Sequence, residues 1–195
     1  KYGLTKVHTV AAAALINLDA QVFTNIIAQA ALACNATVIV FSNNSAGKAI
    51  AARLSVRMKA GLVSGAIALP DLSNGFVVKK TVFSGKAFAN IKVNSELKII
   101  ALNANSFNIE LGNAVAEVIP FEANINASNV EVTAVHKLTG EVSLSDADIV
   151  VSGGRGLKGP ENWGLVTELA SLLGAATACS RPVADIDWRP HHEHV

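Results

Sequence analysis

Ile149-Val150-Val151-Ser152-Gly153-Gly154-Arg155-Gly156-Leu157-Lys158-Gly159 is the stretch from which the fold is read. Residues 149–152 are a short β-branched apolar run of the kind that forms a buried strand, and residues 153–159 are a glycine-rich loop. The spacing predicts a helix over 161–174, with Leu165, Leu169, Leu172 and Leu173 on its apolar side. Residues 175–179 follow as a second short strand, and Ser180-Arg181-Pro182 turns at its carboxyl end. Strand, helix and strand in that order form the unit of a parallel sheet with right-handed crossovers. Gly154 to Gly159 also spell G-x-G-x-x-G between a strand and a helix, where free backbone N–H groups and the helix dipole can meet a pyrophosphate. Two features depart from a Rossmann fingerprint. Pro160 follows the third glycine, and the next strand ends in Ser180-Arg181 rather than in an acidic residue, with Asp185 further on. A tight strand-to-helix turn with solvated Arg155 and Lys158 accounts for the same spacing.

Toward the amino end a boundary is expected at residues 139–147, because β-α grammar restarts at Asp148. Before it, residues 6–12 read as a buried strand, and Asp19 as the N-cap of a helix running to about Cys34 with Val22, Ile26, Ile27 and Ala30 on one face. Residues 36–42 (ATVIVFS) are a continuous run of the type buried on both faces of a parallel sheet, and Asn43-Asn44-Ser45 leads into a second helix over 46–60. Residues 63–69, 76–83, 86–93 and 97–102 alternate between turn signals, which predicts antiparallel strands added to the parallel core. Residues 103–129 are irregular and Asn-rich, and residues 130–138 alternate as one more strand. The fold class is therefore α/β. A first domain over 1–144 has a parallel, Rossmann-like sheet with added antiparallel strands, and a second α/β domain begins at 145 and continues to 195.

The 195 residues suffice to bury a sizeable core, and 51% of them are hydrophobic against 16% charged, so part of the surface is expected to be covered by a partner. Sixteen Lys and Arg against 15 Asp and Glu leave a net charge of +1, which supplies no basic field for nucleic acid or an anionic membrane. No apolar stretch reaches the roughly 18 residues of a membrane span. Cys34 and Cys179 stand far apart with no C-x-x-C pattern, which argues against a disulfide framework or a zinc module and fits a reducing compartment.

Beyond these patterns, V-V-S-G-G-R-G-L at residues 150–157, Glu161-Asn162, Leu169-Ala170, Leu173-Gly174-Ala175 and Cys179-Ser180-Arg181-Pro182-Val183-Ala184-Asp185 resemble the opening of the FAD-binding domain in the alpha subunit of electron transfer flavoprotein. The pairing of V-V-S-G-G-R-G-L with S-R-x-x-x-D at this separation is far more specific than the glycines alone. Gly47-Lys48 at a helix start, Arg53 within that helix and the strand-rich stretch 63–107 are similar to the family's first domain. The likeness is strong over residues 148–195 and one of pattern before them.

The resemblance implies a heterodimer with a beta subunit, in which the alpha subunit holds FAD. It implies an electron carrier rather than an enzyme, one that passes electrons from dehydrogenases, such as the acyl-CoA dehydrogenases of fatty acid beta-oxidation, to a quinone-linked acceptor. A cytoplasmic or mitochondrial-matrix location follows, with neither nucleic-acid binding nor membrane insertion. Arg155 corresponds to the arginine of G-G-R-G, and Ser180 and Arg181 to the family's S-R; a family motif V-G-Q-T-G would begin at Val195. Gly154, Arg155, Ser180, Arg181 and Val195 are thus the implied cofactor contacts. The likeness also implies residues missing at both ends, a β-α-β unit before Lys1 and most of the flavin-binding half after Val195, so this chain alone is expected to hold FAD weakly or not at all.

Reduced flavin carries negative charge around N1 and O2, so a guanidinium beside the ring stabilises it, while a hydroxyl such as that of Ser180 fixes orientation. Arg181 is expected to supply that charge; the alternative is a structural ion pair with Asp185. Arg155 is expected at the diphosphate or the ring edge, and Ser152 on backbone groups of the loop. Cys179 is expected as inert core, and Trp163 and Trp188 as packing or interface residues rather than cofactor stacks. His191, His192, Glu193 and His194 lack the spacing of a metal site and read as a solvated tail. Beside the electron carrier, two further readings stand: a module binding NAD or another nucleotide, and a cofactor-free structural part of a heterodimer.

Overall fold

A computed structural model describes residues 3–108, 110–135, 144 and 147–195. The chain divides into two compact units, Lys1–Thr133 and Ala134–Val195. The boundary expected at 139–147 falls largely outside the described residues.

The first unit runs β1 (Lys6–Thr9), α1 (Ala20–Ala33), β2 (Val38–Ser42), α2 (Ser45–Met58), β3 (Gly61–Ala66), β4 (Val77–Val82), β5 (Ala87–Lys92), β6 (Lys98–Leu102) and β7 (Glu117–Pro120). Five strands form one sheet in the order β2-β6-β3-β4-β5. β6 is parallel to β2 and β3, with Ile99 opposite both Ile39 and Leu62, while β4 is antiparallel to β3 and β5. The fold is thus α/β with antiparallel strands added to a parallel core. Of the four segments expected to be antiparallel, however, β3 and β6 belong to the parallel core. The β4–β5 hairpin lies between them in the chain and supplies the long connection that a parallel return requires.

Local chemistry sets both helix starts. The Asp19 carboxylate accepts from the Gln21 and Val22 N–H groups at the head of α1, and the Asn44 side chain accepts from Gly47 N–H at 2.8 Å at the head of α2. Gly47 is demanded by close approach, because a Cβ there would lie 1.8 Å from the Ser42 carbonyl oxygen. Ala28 of α1 packs with Ala51 and Leu54 of α2 against Ile99, with Ile39 and Phe41 at the margin. Val63, Ala66, Val78, Val93 and Ile100 make a second cluster. The residue 36–42 run is not buried on both faces as expected. β2 is an edge strand whose Val38 and Val40 are 40% and 60% exposed, because the α1–α2 core covers only the side bearing Ile39 and Phe41.

Two further expectations are corrected. β1 is shorter and more exposed than the buried strand expected over 6–12, and it pairs in parallel with β7, which lies in the stretch expected to be irregular. Residues 130–135 form no strand, and Val130, Val132 and Val135 are exposed; alternation alone makes no ladder without a partner edge. Residues 136–138 of that expected strand lie outside the described residues.

The second unit comprises β8 (Val150–Gly153), 3-10 turns at Arg155–Leu157 and Pro160–Trp163, α3 (Gly164–Leu173), β9 (Ala176–Cys179), the single turn α4 (Arg181–Ala184) and a 3-10 turn at His191–Glu193. β8 and β9 pair in parallel, Gly153 opposite Cys179. Trp163, Val166, Cys179, Val183 and Ala184 form the core, with Trp188 packed against it, so Cys179 is core as expected and both tryptophans take the packing role. The expected 161–174 helix is split: Pro160 opens a 3-10 turn, and α3 begins only at Gly164. The expected leucine face is also reversed. Val166 and Ala170 are buried, whereas Leu165, Leu169, Leu172 and Leu173 are exposed, because the small core beneath α3 admits only the side that follows Trp163. No helix among the described residues is long and apolar enough to cross a membrane.

Candidate functional site

The parallel β8–β9 pair brings two loops together at its carboxyl end, the place where open α/β sheets hold ligands. The Ser180 N–H donates to the Gly153 carbonyl at 3.0 Å. Ser180 is thereby set beside Gly154, where a Cβ would stand 3.8 Å from the Ser180 Oγ. Arg155 opens the 3-10 turn after Gly154 and is exposed; Leu157 and Lys158 N–H donate back to the Gly154 and Arg155 carbonyls at 3.1 and 3.0 Å. Those N–H groups serve the turn itself. Because α3 starts at Gly164, its dipole does not begin at the glycine-rich loop, contrary to the expected loop-to-helix junction.

Arg181 follows directly, at the first position of α4, with a side chain 77% exposed. Its Nε lies 3.7 Å from the Asp185 Oδ2, beyond hydrogen-bond length, in a pair open to solvent and weakly held. Arg155, Ser180 and Arg181 therefore stand at the ends of adjacent strands, with Gly154 between them. Val195 is positioned too: its N–H donates to the Cys179 carbonyl at 3.1 Å, so the chain beyond His194 runs alongside β9.

Ser152 departs from expectation. It is exposed and makes no hydrogen bond to the loop among the described residues, because on β8 its side chain alternates away from the core side. In the tail, His191, His192 and His194 are exposed as expected, but Glu193 is not. Glu193 is buried, and its carboxylate accepts from Arg189 Nε at 2.8 Å and Nη2 at 2.5 Å, while the Arg189 guanidinium lies 5.5 Å from the Trp163 ring centroid. Residues 189–193 thus clamp the segment to the core, through an i, i+4 pair that sequence reading passed over in favour of the histidines. Burial pushes the Cys179 thiol up, Glu193 adds to the effect, and Arg189 and the Ala184 N–H oppose it, so this cysteine is held neutral.

Gly153 is the other residue that sequence reading missed. A Cβ there would meet Trp163 Cη2 at 2.7 Å and Leu157 Cδ1 at 2.9 Å. The second glycine of S-G-G-R was assigned to the ligand; the first is required by the core beneath it.

Both units match known protein families. Residues 1–138 match the electron transfer flavoprotein domain and residues 143–195 the electron transfer flavoprotein FAD-binding domain. The electron transfer flavoprotein subunit alpha of Syntrophomonas wolfei is 30% identical over 203 aligned positions, covering 100% of this chain and 62% of that protein. The subunit of the same name from Thermoanaerobacterium thermosaccharolyticum is 28% identical, with 96% of this chain and 59% of the relative covered. That of Bacillus subtilis is 30% identical over 79% of this chain and 48% of its own length. The chain spans about 60% of the length of the first two relatives. With both of its units matched in order, the chain belongs to the electron transfer flavoprotein family, as a protein of the alpha-subunit type.

Proposed function

We propose that this chain is part of the FAD-binding subunit of an electron carrier, in which Gly154, Arg155, Ser180, Arg181 and Val195 face the cofactor. The observation that carries the reading is the Gly153–Ser180 hydrogen bond, which joins the two loops that carry Arg155 and Arg181 and sets the Ser180 hydroxyl beside Gly154. That donor set fits FAD: guanidiniums suit a diphosphate and the electron-rich edge of the ring, and a Cβ-free position lets a flat or anionic group approach the backbone. Bound FAD supplies reversible acceptance and release of electrons.

The residues do the rest. Arg155 would offer its guanidinium fork to two diphosphate oxygens. Ser180 would donate or accept one hydrogen bond and so help to orient the cofactor. Arg181 would offer positive charge to a reduced flavin, and its loose hold on Asp185 leaves the fork free to turn. The role that follows from this reading is that of a carrier rather than an enzyme. A beta subunit completes the protein, acyl-CoA dehydrogenase-type enzymes donate electrons, and a quinone-linked oxidoreductase accepts them. The location that follows is cytoplasmic, or the mitochondrial matrix in a eukaryote.

A visible absorption spectrum and reductive titration of the purified protein with its partner test the reading. A flavin band that bleaches with electron transfer to an artificial quinone is the expected result. A colourless protein that binds NAD saturably would instead establish the nucleotide-binding alternative.

A further inference from the structure

The first unit contains a cleft of about 350 Å³ between α1, α2 and residues 124–129, lined among others by Gln21, Asn25, Arg53, Arg57, Asn126 and Asn129. Arg53 and Arg57 are one turn apart on α2, so two positive charges share one face of the helix, an arrangement that repels unless something neutralises it. Among the described residues neither guanidinium has a carboxylate within salt-bridge distance. Asp19, whose charge also acts on Arg53, is already engaged by the Ser128 hydroxyl and the Gln21 N–H.

The cleft is built from beneath. Arg57 Nη2 donates to the Oδ1 of buried Asn25 at 2.7 Å, and Asn25 Nδ2 donates to the Asn124 carbonyl at 3.2 Å. Only this orientation of the amide satisfies both neighbours, so the guanidinium is held in place by a neutral group that leaves its charge uncompensated. The far wall is pinned at two points. Gln29 exchanges a pair of hydrogen bonds with Asn124, at 2.9 and 2.8 Å, and Ser128 bonds Asp19. Those anchors carry Asn126 and Asn129 to the rim of the cleft.

We propose that this cleft binds a small soluble phosphate ester or diphosphate, with Arg53 and Arg57 on the phosphate oxygens and the surrounding carboxamides on the remainder of the molecule. Paired guanidinium forks and several amide donors, with no carboxylate in the lining, match a compact multivalent oxyanion. The volume leaves room for more than a bare phosphate.

The test is calorimetric titration of pyrophosphate, and separately of inorganic phosphate, into the complete protein with saturating FAD and its partner. Saturable binding that weakens with salt is expected, pyrophosphate being the tighter. Arg53→Ala/Arg57→Ala should weaken it by about tenfold or more, and Arg53→Lys/Arg57→Lys by less, since charge survives without the fork. Circular dichroism of each variant establishes that it is folded. Absence of binding at millimolar ligand would overturn the proposal, as would binding that the double alanine variant leaves unchanged. If that variant instead loses association with its partner while wild-type protein ignores both anions, the cleft receives acidic side chains of a protein and the ligand assignment is wrong.

Discussion

Gly153 and Ser180 are joined by a 3.0 Å backbone hydrogen bond across the ends of two parallel strands, and this contact brings together the two loops that carry Gly154, Arg155, Ser180 and Arg181. The two adjacent glycines there have different jobs. Gly153→Ala drives a methyl into Trp163 and Leu157 and should destabilise the unit by about 1–3 kcal/mol, the usual cost of overpacking. Gly154→Ala meets nothing nearer than 3.8 Å and should leave the unfolding midpoint within the spread of neutral substitutions while weakening FAD binding. Urea unfolding and flavin titration of both variants separate the two roles.

Arg181 is expected to act on potential rather than on folding. Its ion pair with Asp185 is long and exposed, so Arg181→Ala should barely change stability. In FAD-loaded protein the loss of a charge-assisted contact of about 1–3 kcal/mol should lower a one-electron potential by roughly 40–130 mV. Arg181→Lys should restore part of it. Potentiometry decides the matter: an unchanged potential with reduced stability would assign Arg181 to the Asp185 pair alone.

The Arg189–Glu193 pair should matter more for stability, because Glu193 is buried and accepts two hydrogen bonds. Arg189→Ala strands that carboxylate and removes the guanidinium from the Trp163 ring, which should cost about 2 kcal/mol or more. Glu193→Gln retains hydrogen-bonding atoms and should cost less. Thermal melts of the two variants should rank in that order; equal, negligible shifts would return Glu193 to the solvated tail.

Asp19 predicts an acid limb for the first unit. Hydrogen bonds from the Ser128 hydroxyl and then the Gln21 N–H hold its carboxyl below the ordinary 3.8, and Arg53 adds a smaller pull. A depressed folded-state value stabilises the fold above the unfolded-state value, and that stabilisation is lost as pH falls through the folded one. Asp19→Asn keeps a capping oxygen without the proton, so its stability should fall less steeply than wild type below about pH 4. Parallel acid titrations followed by circular dichroism would show the difference.

Much of this protein was determined within a few residues of chain. The Asp19 cap, the turn between β4 and β5, and the strand–glycine loop–strand grammar that exposes Arg155, Ser180 and Arg181 are local, since caps and turns close over two to four residues. Tertiary structure alone decided which edges met. The pairing of Lys6 with Glu117, the insertion of β6 between β2 and β3, and the exposure of Val40 and of the α3 leucines depend on which surface arrives from elsewhere in the chain. The arginine cleft has the same origin. Arg53 and Arg57 share a helix face by spacing, yet the Asn25 that steadies Arg57 comes from α1, and it is itself fixed by Asn124, far along the chain. Periodicity records a residue's preference for burial or exposure, whereas a ladder, a buried ion pair or a polar cleft exists only when groups distant in sequence meet in a geometry that satisfies both.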